Sequence, residues 1–175
     1  HRHGWRDCHY MMLPASYARY LGQLGAKRRY NLKRQQRLLS ERAGGELCLL
    51  PIERAEQLEA LQQALALCCQ PAQRAQLWDC AEQAALAQRG LLLCYRLDAG
   101  SHPCGVVLGL QSGGVYHLFN ILAHPRWQAL SAGTTLLQLA LADLCDQRHC
   151  HRLEFGYGSP ALAHQSCNQL SRRSH

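Results

Sequence analysis

Residues 91–158 read LLLCYRLDAGSHPCGVVLGLQSGGVYHLFNILAHPRWQALSAGTTLLQLALADLCDQRHCHRLEFGYG, and the fold turns on them. Three strand-length apolar runs, 91–97, 104–111 and 115–122, are separated by the turn signals Ala99-Gly100-Ser101-His102-Pro103 and Ser112-Gly113-Gly114. That spacing predicts three consecutive antiparallel strands. A polar connection over 123–130 leads into a helix predicted over 132–147, apolar on most sides, as a helix packed against a sheet must be. A strand over 152–157 follows. A strand that enters a helix and returns beside its neighbour forms a crossover, so at least one parallel pair belongs to a mixed sheet.

Upstream of this stretch the periodicity is helical. Residues 15–42 are expected to form one helix, with Ser16 as N-cap, Tyr17, Tyr20, Leu21 and Leu24 at helical spacing, and Gly44-Gly45 as its stop. Gly22 and Gly25 are expected to weaken or bend it. A short strand over 46–51 precedes a helix over 53–69, in which Leu58, Leu61, Leu65 and Cys68 share a face. Pro71 opens another helix, carrying Leu77, Trp78, Ala81 and Ala85, that stops at Gly90. The predicted class is α/β of the mixed α+β kind, a mostly antiparallel sheet with one β-α-β crossover and flanking helices. The expected organisation is a lead-in over 1–12, one domain over 13–165 and a polar tail over 166–175.

Composition bounds the function. With 175 residues, 47% apolar and 18% charged, the chain can bury one sizeable core. No apolar run approaches the roughly 20 residues that span a bilayer. The opening His1-Arg2-His3-Gly4-Trp5 lacks a signal-peptide pattern and is read as an internal cut, which makes a missing N-terminal domain of the same chain an expected partner. A cytoplasmic location is expected. Ten cysteines, most scattered singly as at Cys48, Cys80, Cys94, Cys104 and Cys167, read as reduced core thiols rather than a disulfide framework. Cys145, His149, Cys150 and His151 form one cluster, but the second ligand pair of a structural zinc site is missing, and no metal is expected.

The helix start Ser131-Ala132-Gly133-Thr134-Thr135 aims unpaired backbone N–H groups and a positive dipole end at whatever precedes it, and Gly133 permits close approach of a phosphate. It reads equally as an ordinary capped helix start.

Taken in order, four features resemble the GNAT-like acetyltransferase family associated with cellulose biosynthesis, itself related to the FemAB-type aminoacyl transferases. They are the basic helix Lys27-Arg28-Arg29-Tyr30-Asn31-Leu32-Lys33-Arg34, the hairpin Gly105-Val106-Val107-Leu108 into Tyr116-His117-Leu118-Phe119, the start Ser131-Ala132-Gly133-Thr134, and the strand end Glu154-Phe155-Gly156-Tyr157-Gly158. The resemblance spans residues 13–164. It implies a GNAT fold in which two strands splay and acyl-CoA, acetyl-CoA in the first instance, lies in the gap as cosubstrate. By the same analogy Ser131, Ala132, Gly133 and Thr134 would line the phosphate site, and Asn120, Ile121 and Leu122 would face the pantetheine arm. Two departures stand out. The chain has no strict Gln/Arg-x-x-Gly-x-Gly/Ala phosphate loop, and it carries Leu162-Ala163 where the family tends to place Tyr-Lys.

N-acylation needs a base for the amine proton and a donor for the leaving thiolate. Glu154 and His117 are the candidate bases and Tyr157 the candidate acid. Each also has a structural reading: a solvated strand-edge Glu, a His on the polar face of a strand, a Tyr filling a turn. Arg29, Lys33 and Arg37, at i, i+4 and i+8, form a cationic stripe that could meet CoA phosphates, a polyanionic acceptor or water. Nucleic acid is not expected, because Tyr30 is the one aromatic nearby. The expected function is therefore transfer of an acyl group from acyl-CoA to an amine, or a hydroxyl, of a small-molecule or envelope-saccharide acceptor. The alternative is a non-catalytic module of the same fold whose basic helix docks a polyanion or protein.

Overall fold

The computed structural model describes residues 10–155. The chain runs β1 (Tyr10–Met12), α1 (Tyr17–Gly22), α2 (Ala26–Ala43), β2 (Leu47–Ile52), a 3-10 turn (Ala55–Gln57), α3 (Leu58–Cys68), α4 (Pro71–Arg74), α5 (Cys80–Gln88), β3 (Cys94–Ala99), β4 (His102–Ser112), β5 (Val115–Ala123), a second 3-10 turn (Gln128–Leu130), α6 (Ala132–Asp146) and β6 (Arg152–Phe155). One sheet takes all six strands in the order β1-β6-β5-β4-β3-β2. Every neighbouring pair is antiparallel except β5 and β6, which α6 joins as the predicted crossover.

Three sequence expectations are corrected. Tyr10–Met12, assigned to the lead-in, pair with β6 as an edge strand, with Met11 buried and Tyr10 and Met12 turned to solvent. The helix expected over 15–42 divides. Ser16 does cap α1, its hydroxyl accepting from the Arg19 N–H at 3.1 Å, but Gly25 takes an extended conformation and starts α2 anew. The Arg29 guanidinium then donates to the carbonyls of Leu21 and Leu24, tying the start of α2 to the end of α1. The helix expected after Pro71 also breaks. Asp79 and Glu82 form a reciprocal capping box that restarts the helix at Cys80 and releases residues 75–79 as a loop.

The sheet separates two apolar clusters. On one face α1, α2 and α6 pack over Tyr95, Leu97, Val107, Tyr116, Leu118, Leu153 and Phe155. On the other, α3 and the α4–α5 region cover Ile52, Cys94, Val106, Leu108 and Leu122. Among the described residues the cysteines are free, and Cys68, Cys69, Cys94, Cys104, Cys145 and Cys150 are buried. Burial pushes the Cys68 and Cys94 thiols up to about 12, which keeps them protonated apolar packing groups near neutrality. No helix among the described residues is long and apolar enough to cross a membrane.

Two contacts fix α6, one to α1 and one to the sheet. Tyr17 donates its hydroxyl to the buried Gln138 side chain at 2.7 Å. At the far end Arg148 grips Glu53 through both guanidinium nitrogens, at 2.6 and 2.9 Å, and donates its Nε to Asp143 at 2.8 Å, where the Tyr95 hydroxyl also donates at 2.6 Å. The hydrogen bond from Arg148 is the main cause that holds the Glu53 carboxyl below its ordinary value of 4.5. A depressed folded value means that the unfolded chain binds the proton first. The stabilisation is therefore complete above the unfolded value and is lost as pH falls through the folded one. Urea titrations of the wild type and of Arg148→Met between pH 6 and pH 3 should show a shallower acid loss of stability in the variant; equal slopes would assign that loss elsewhere.

Gly109 marks the tightest packing in the sheet. A Cβ there would lie 2.2 Å from the Tyr116 hydroxyl oxygen and 2.8 Å from the His117 carbonyl. Tyr116 is fully buried and donates to the Leu93 carbonyl at 2.7 Å, so its ring has nowhere to retreat. Gly109→Ala is expected to destabilise by about 1–3 kcal/mol, the usual cost of overpacking, read as a lower urea midpoint at unchanged slope.

Candidate active site

The site is built on a register slip in β5. Leu108 of β4 lies opposite Asn120 and Gly109 lies opposite Leu118, so Phe119 is an extra residue without a partner across the ladder. Because strand side chains alternate, one extra residue reverses the facing of all that follow. Before it, Tyr116 and Leu118 join the core beneath α6, while Phe119 turns to the α3 face and meets Trp78 edge-on at 5.1 Å between ring centroids. After it, Ile121 and Ala123 pack on the α6 side, and Leu122 is buried with Val106 and Leu108 on the α3 side.

The three residues predicted to face the pantetheine arm are thereby split. Asn120 lines a pocket on the α3 face. Ile121 lies beside the first turn of α6, its Cγ2 3.6 Å from where a Gly133 Cβ would stand. Leu122 is a core residue, 4% exposed, and its side chain is not available to a ligand. What β5 can offer a ligand along 119–123 is therefore chiefly backbone.

Pairing between β5 and β6 runs from Val115↔Arg152 to Leu118↔Phe155, the last of the described residues. Within this pair His117 and Glu154 are direct cross-strand neighbours. His117 Nδ1 lies 3.3 Å from Glu154 Oε1, both side chains are about one-third exposed, and Glu154 Oε2 takes Arg152 at 2.8 Å. The Arg152 guanidinium stacks in turn over the Tyr10 ring at 4.3 Å. Leu153 and Phe155 point into the α6-side core, so Glu154 and its partner His117 stand on the opposite face, the one that carries Phe119 and Trp78. A carboxylate at Nδ1 favours the imidazole tautomer whose lone pair is on Nε2, which suits His117 to accept a proton. The structure thus brings two sequence candidates, on different strands, into one unit.

The first turn of α6 stands at the end of β5. Thr135 N–H donates to the Ser131 carbonyl at 3.0 Å, which leaves the N–H groups of Ala132, Gly133 and Thr134 without intrahelical acceptors. Ser131 does not cap with its side chain. It holds a left-handed backbone, φ 60 and ψ 38, at the junction between the 3-10 turn and the helix. Gly133 has ordinary space around it, so its value is low bulk beside open backbone donors rather than conformational need.

A pocket of about 310 Å³ opens between the 75–79 loop and the bulge, lined by Gln73, Gln76, Leu77, Trp78, Leu108, Phe119 and Asn120. Sequence reading missed it because Trp78 was placed inside a helix. The signal was present in Asp79-Cys80-Ala81-Glu82, a capping box that sets Trp78 just outside the helix start.

The cationic stripe is only partly free. Arg29 is committed to the Leu21 and Leu24 carbonyls, Arg37 lies 3.8 Å from Glu41 in an exposed i,i+4 pair, and Lys33 is exposed. Among the described residues no cluster of three His, Cys, Asp or Glu side chains is arranged to hold a metal ion. Tyr157, the Gly156 and Gly158 flanking it, and Leu162-Ala163 lie outside the described residues.

The acetyltransferase (GNAT) domain family model matches residues 26–165. The chain belongs to the GNAT acetyltransferase family. No curated protein matches it. Among solved structures, an aminoglycoside acetyltransferase from an uncultured soil metagenomic sample, in complex with trehalose, superposes with a TM-score of 0.52 at 9% identity, covering 74% of this chain and 89% of that one. The same enzyme in complex with sisomicin gives 0.50 at 9%, covering 71% and 87%. The ribosomal-protein-S18-alanine N-acetyltransferase of Escherichia coli gives 0.48 at 17%, covering 69% and 75%. At 9% identity the likeness to the soil-metagenome enzyme is one of fold, and it agrees with the GNAT architecture of the mixed sheet.

GNAT membership makes the chain an N-acetyltransferase by family and gives the 128–133 turn a sharper reading. Gln128-Ala129-Leu130-Ser131-Ala132-Gly133 departs from the Gln/Arg-x-x-Gly-x-Gly/Ala pattern at one position, Ser131. That residue adopts the left-handed backbone for which glycine is suited. The GNAT turn is therefore kept in shape with a less suitable residue. Ser131→Gly is expected to raise stability by about 0.5–1 kcal/mol, the relieved strain less the extra freedom of the unfolded chain, and Ser131→Val to lower it. Urea midpoints of the two variants would check the ordering, and a drop in both would remove strain as the explanation.

Proposed function

We propose that this domain transfers an acyl group, acetyl in the first instance, from acyl-CoA to an amine of a small-molecule or envelope-saccharide acceptor, with a hydroxyl as the other acceptor it could serve. The observation that carries the reading is that the bulge at Phe119 and the open first turn of α6 lie at the same end of β5. Backbone donors of Ala132, Gly133 and Thr134, with the helix dipole behind them, would hold the pyrophosphate, with Ser131 shaping the turn. The pantetheine would run along the backbone of 119–123, after the bulge, with Asn120 and Ile121 beside it.

In the reaction, the amine nitrogen attacks the thioester carbonyl carbon, the carbon–sulfur bond breaks and the thiolate departs. His117 Nε2 takes the proton from the amine, with Glu154 steadying Nδ1, and Tyr157 is assigned to protonate the sulfur. Both Glu154 oxygens already have partners, which favours His117 as the base and Glu154 as its positioning residue. A cytoplasmic location goes with this reading, as the compartment that supplies acyl-CoA and keeps thiols reduced. The second reading, a non-catalytic module docking a polyanion through α2, draws on Lys33 and Arg37 and on Leu162-Ala163 in place of Tyr-Lys. It loses one cation of its stripe to the cap that Arg29 makes on α1.

Isothermal titration of the protein with acetyl-CoA, repeated on Gly133→Asp, tests the donor site. Binding that the variant abolishes is expected, since a carboxylate would stand where a phosphate should; no binding by the folded wild type would leave the docking module in front. With an acceptor in hand, His117→Ala should lower kcat by roughly 10²–10⁴-fold, the range for loss of a general base.

A further inference from the structure

We propose that the pocket beneath Trp78 is a binding subsite for an uncharged, polyhydroxylated ring, a saccharide unit, which lies against the indole and is held by the amides of Gln73, Gln76 and Asn120. This deepens the acyl-transfer reading above and rests on it.

The lining decides the class of ligand. Among the described residues, no side chain that lines the pocket is ionisable. A charged acceptor would find no counter-charge among these lining residues, and burying an unpaired charge is strongly unfavourable. Three primary amides each present both donors and an acceptor, which matches hydroxyl groups that also do both. An alkyl chain would instead strip water from those amides and leave them unsatisfied, at a cost of about 1–3 kcal/mol for each one buried. The volume, about 310 Å³, stands at the low end of the roughly 300–1,000 Å³ typical of small-ligand sites, enough for a single ring. Aromatic surface with amphipathic character suits the apolar face of such a ring.

The wall is held in place rather than left as a loose loop. Gln83, 1% exposed, donates its Nε2 to the Trp78 carbonyl at 3.1 Å. Gln62 donates to the Gln83 side-chain oxygen, and Arg74 donates to Gln62 Oε1 at 2.6 Å. The edge-on contact with Phe119, at 69° between ring planes, braces the indole against the bulge. This buried amide chain has no counterpart in the proposed chemistry, and its effect is to fix Trp78.

Position links the subsite to the reaction. His117 and Phe119 lie on one strand face two residues apart, about 7 Å along the backbone. A ring seated on Trp78 would extend an exocyclic amine or hydroxyl toward His117 Nε2, so the subsite would select acceptors by the ring that bears the nucleophile.

The test uses saturation-transfer NMR and tryptophan fluorescence on the intact protein. The probes are trehalose and methyl β-glucoside as neutral rings, sisomicin as a polycation and octanoyl-CoA as a long-chain donor. Acetyl-CoA titration serves as the control for the donor site. The neutral sugars are expected to bind saturably, Trp78→Ala and Gln76→Ala to weaken them at least tenfold, and Trp78→Phe, which keeps an aromatic face, to restore most of the affinity. Acetyl-CoA affinity should stay within about twofold in Trp78→Phe.

A protein that binds acetyl-CoA but neither sugar overturns the subsite and leaves the transfer reading intact. Sugar binding unaffected by Trp78→Ala, or sisomicin bound in preference, also overturns it. Octanoyl-CoA that binds more tightly than acetyl-CoA, with the advantage lost in Trp78→Ala, would reassign the pocket to an acyl chain. Loss of acetyl-CoA and sugar binding together in the folded wild type would remove the reading on which the proposal rests.

Discussion

In β5 a single residue without an opposite number on β4 reverses the facing of everything that follows it. Phe119 occupies that position, and the strand faces differently on its two sides. His117 and Phe119 are turned toward the α3 face, Ile121 is turned back under α6, and Asn120 reaches the pocket beside Trp78. An unbroken strand would set Ile121 on the α3 face beside His117 and would send Asn120 under α6. The proposed donor channel and the Asn120 wall of the acceptor subsite take their orientation from this irregularity.

The bulge has meaning only because α6 is held firmly to α1 and to its sheet. Tyr17 reaches Gln138 near the middle of the helix, and Arg148 ties Asp143 to Glu53 and Tyr95 beyond its end. Gly105 lets the helix approach β4 closely, since a Cβ there would stand 3.0 Å from both Leu136 Cδ2 and the Leu122 carbonyl. With the body of α6 fixed in this way, its first turn keeps a constant relation to the end of β5. Donor groups aimed at a charged ligand are effective when they need no reorganisation on binding.

The polar groups that are not exposed follow the same economy of purpose. Gln83, Gln138 and Arg29 each hydrogen-bond a backbone or side-chain group, and each fixes one helix or loop to another. Arg29 is instructive because its charge suggested an external partner. A guanidinium near two backbone carbonyls at a helix end finds its acceptors at home, and the cationic face of α2 is left to Lys33, Arg37 and their neighbours.

The order of strands and helices from β3 onward was legible in the sequence, because turn glycines and apolar runs act locally and alternate or recur with fixed periods. The crossover before β6 followed from connectivity, and Ser131 to Thr134 were recognisable as a helix start that leaves N–H groups open. Tertiary structure decided what no period encodes. The pairing of His117 with Glu154 joins residues 37 positions apart through strand register. Phe119 looks like any strand residue until β4 lies beside it, and the breaks at Gly25 and Asp79 depend on capping geometry that an apolar pattern overrides in a one-dimensional reading. Local chemistry named the elements; long-range packing, which alone sets register and facing, chose which side chains meet.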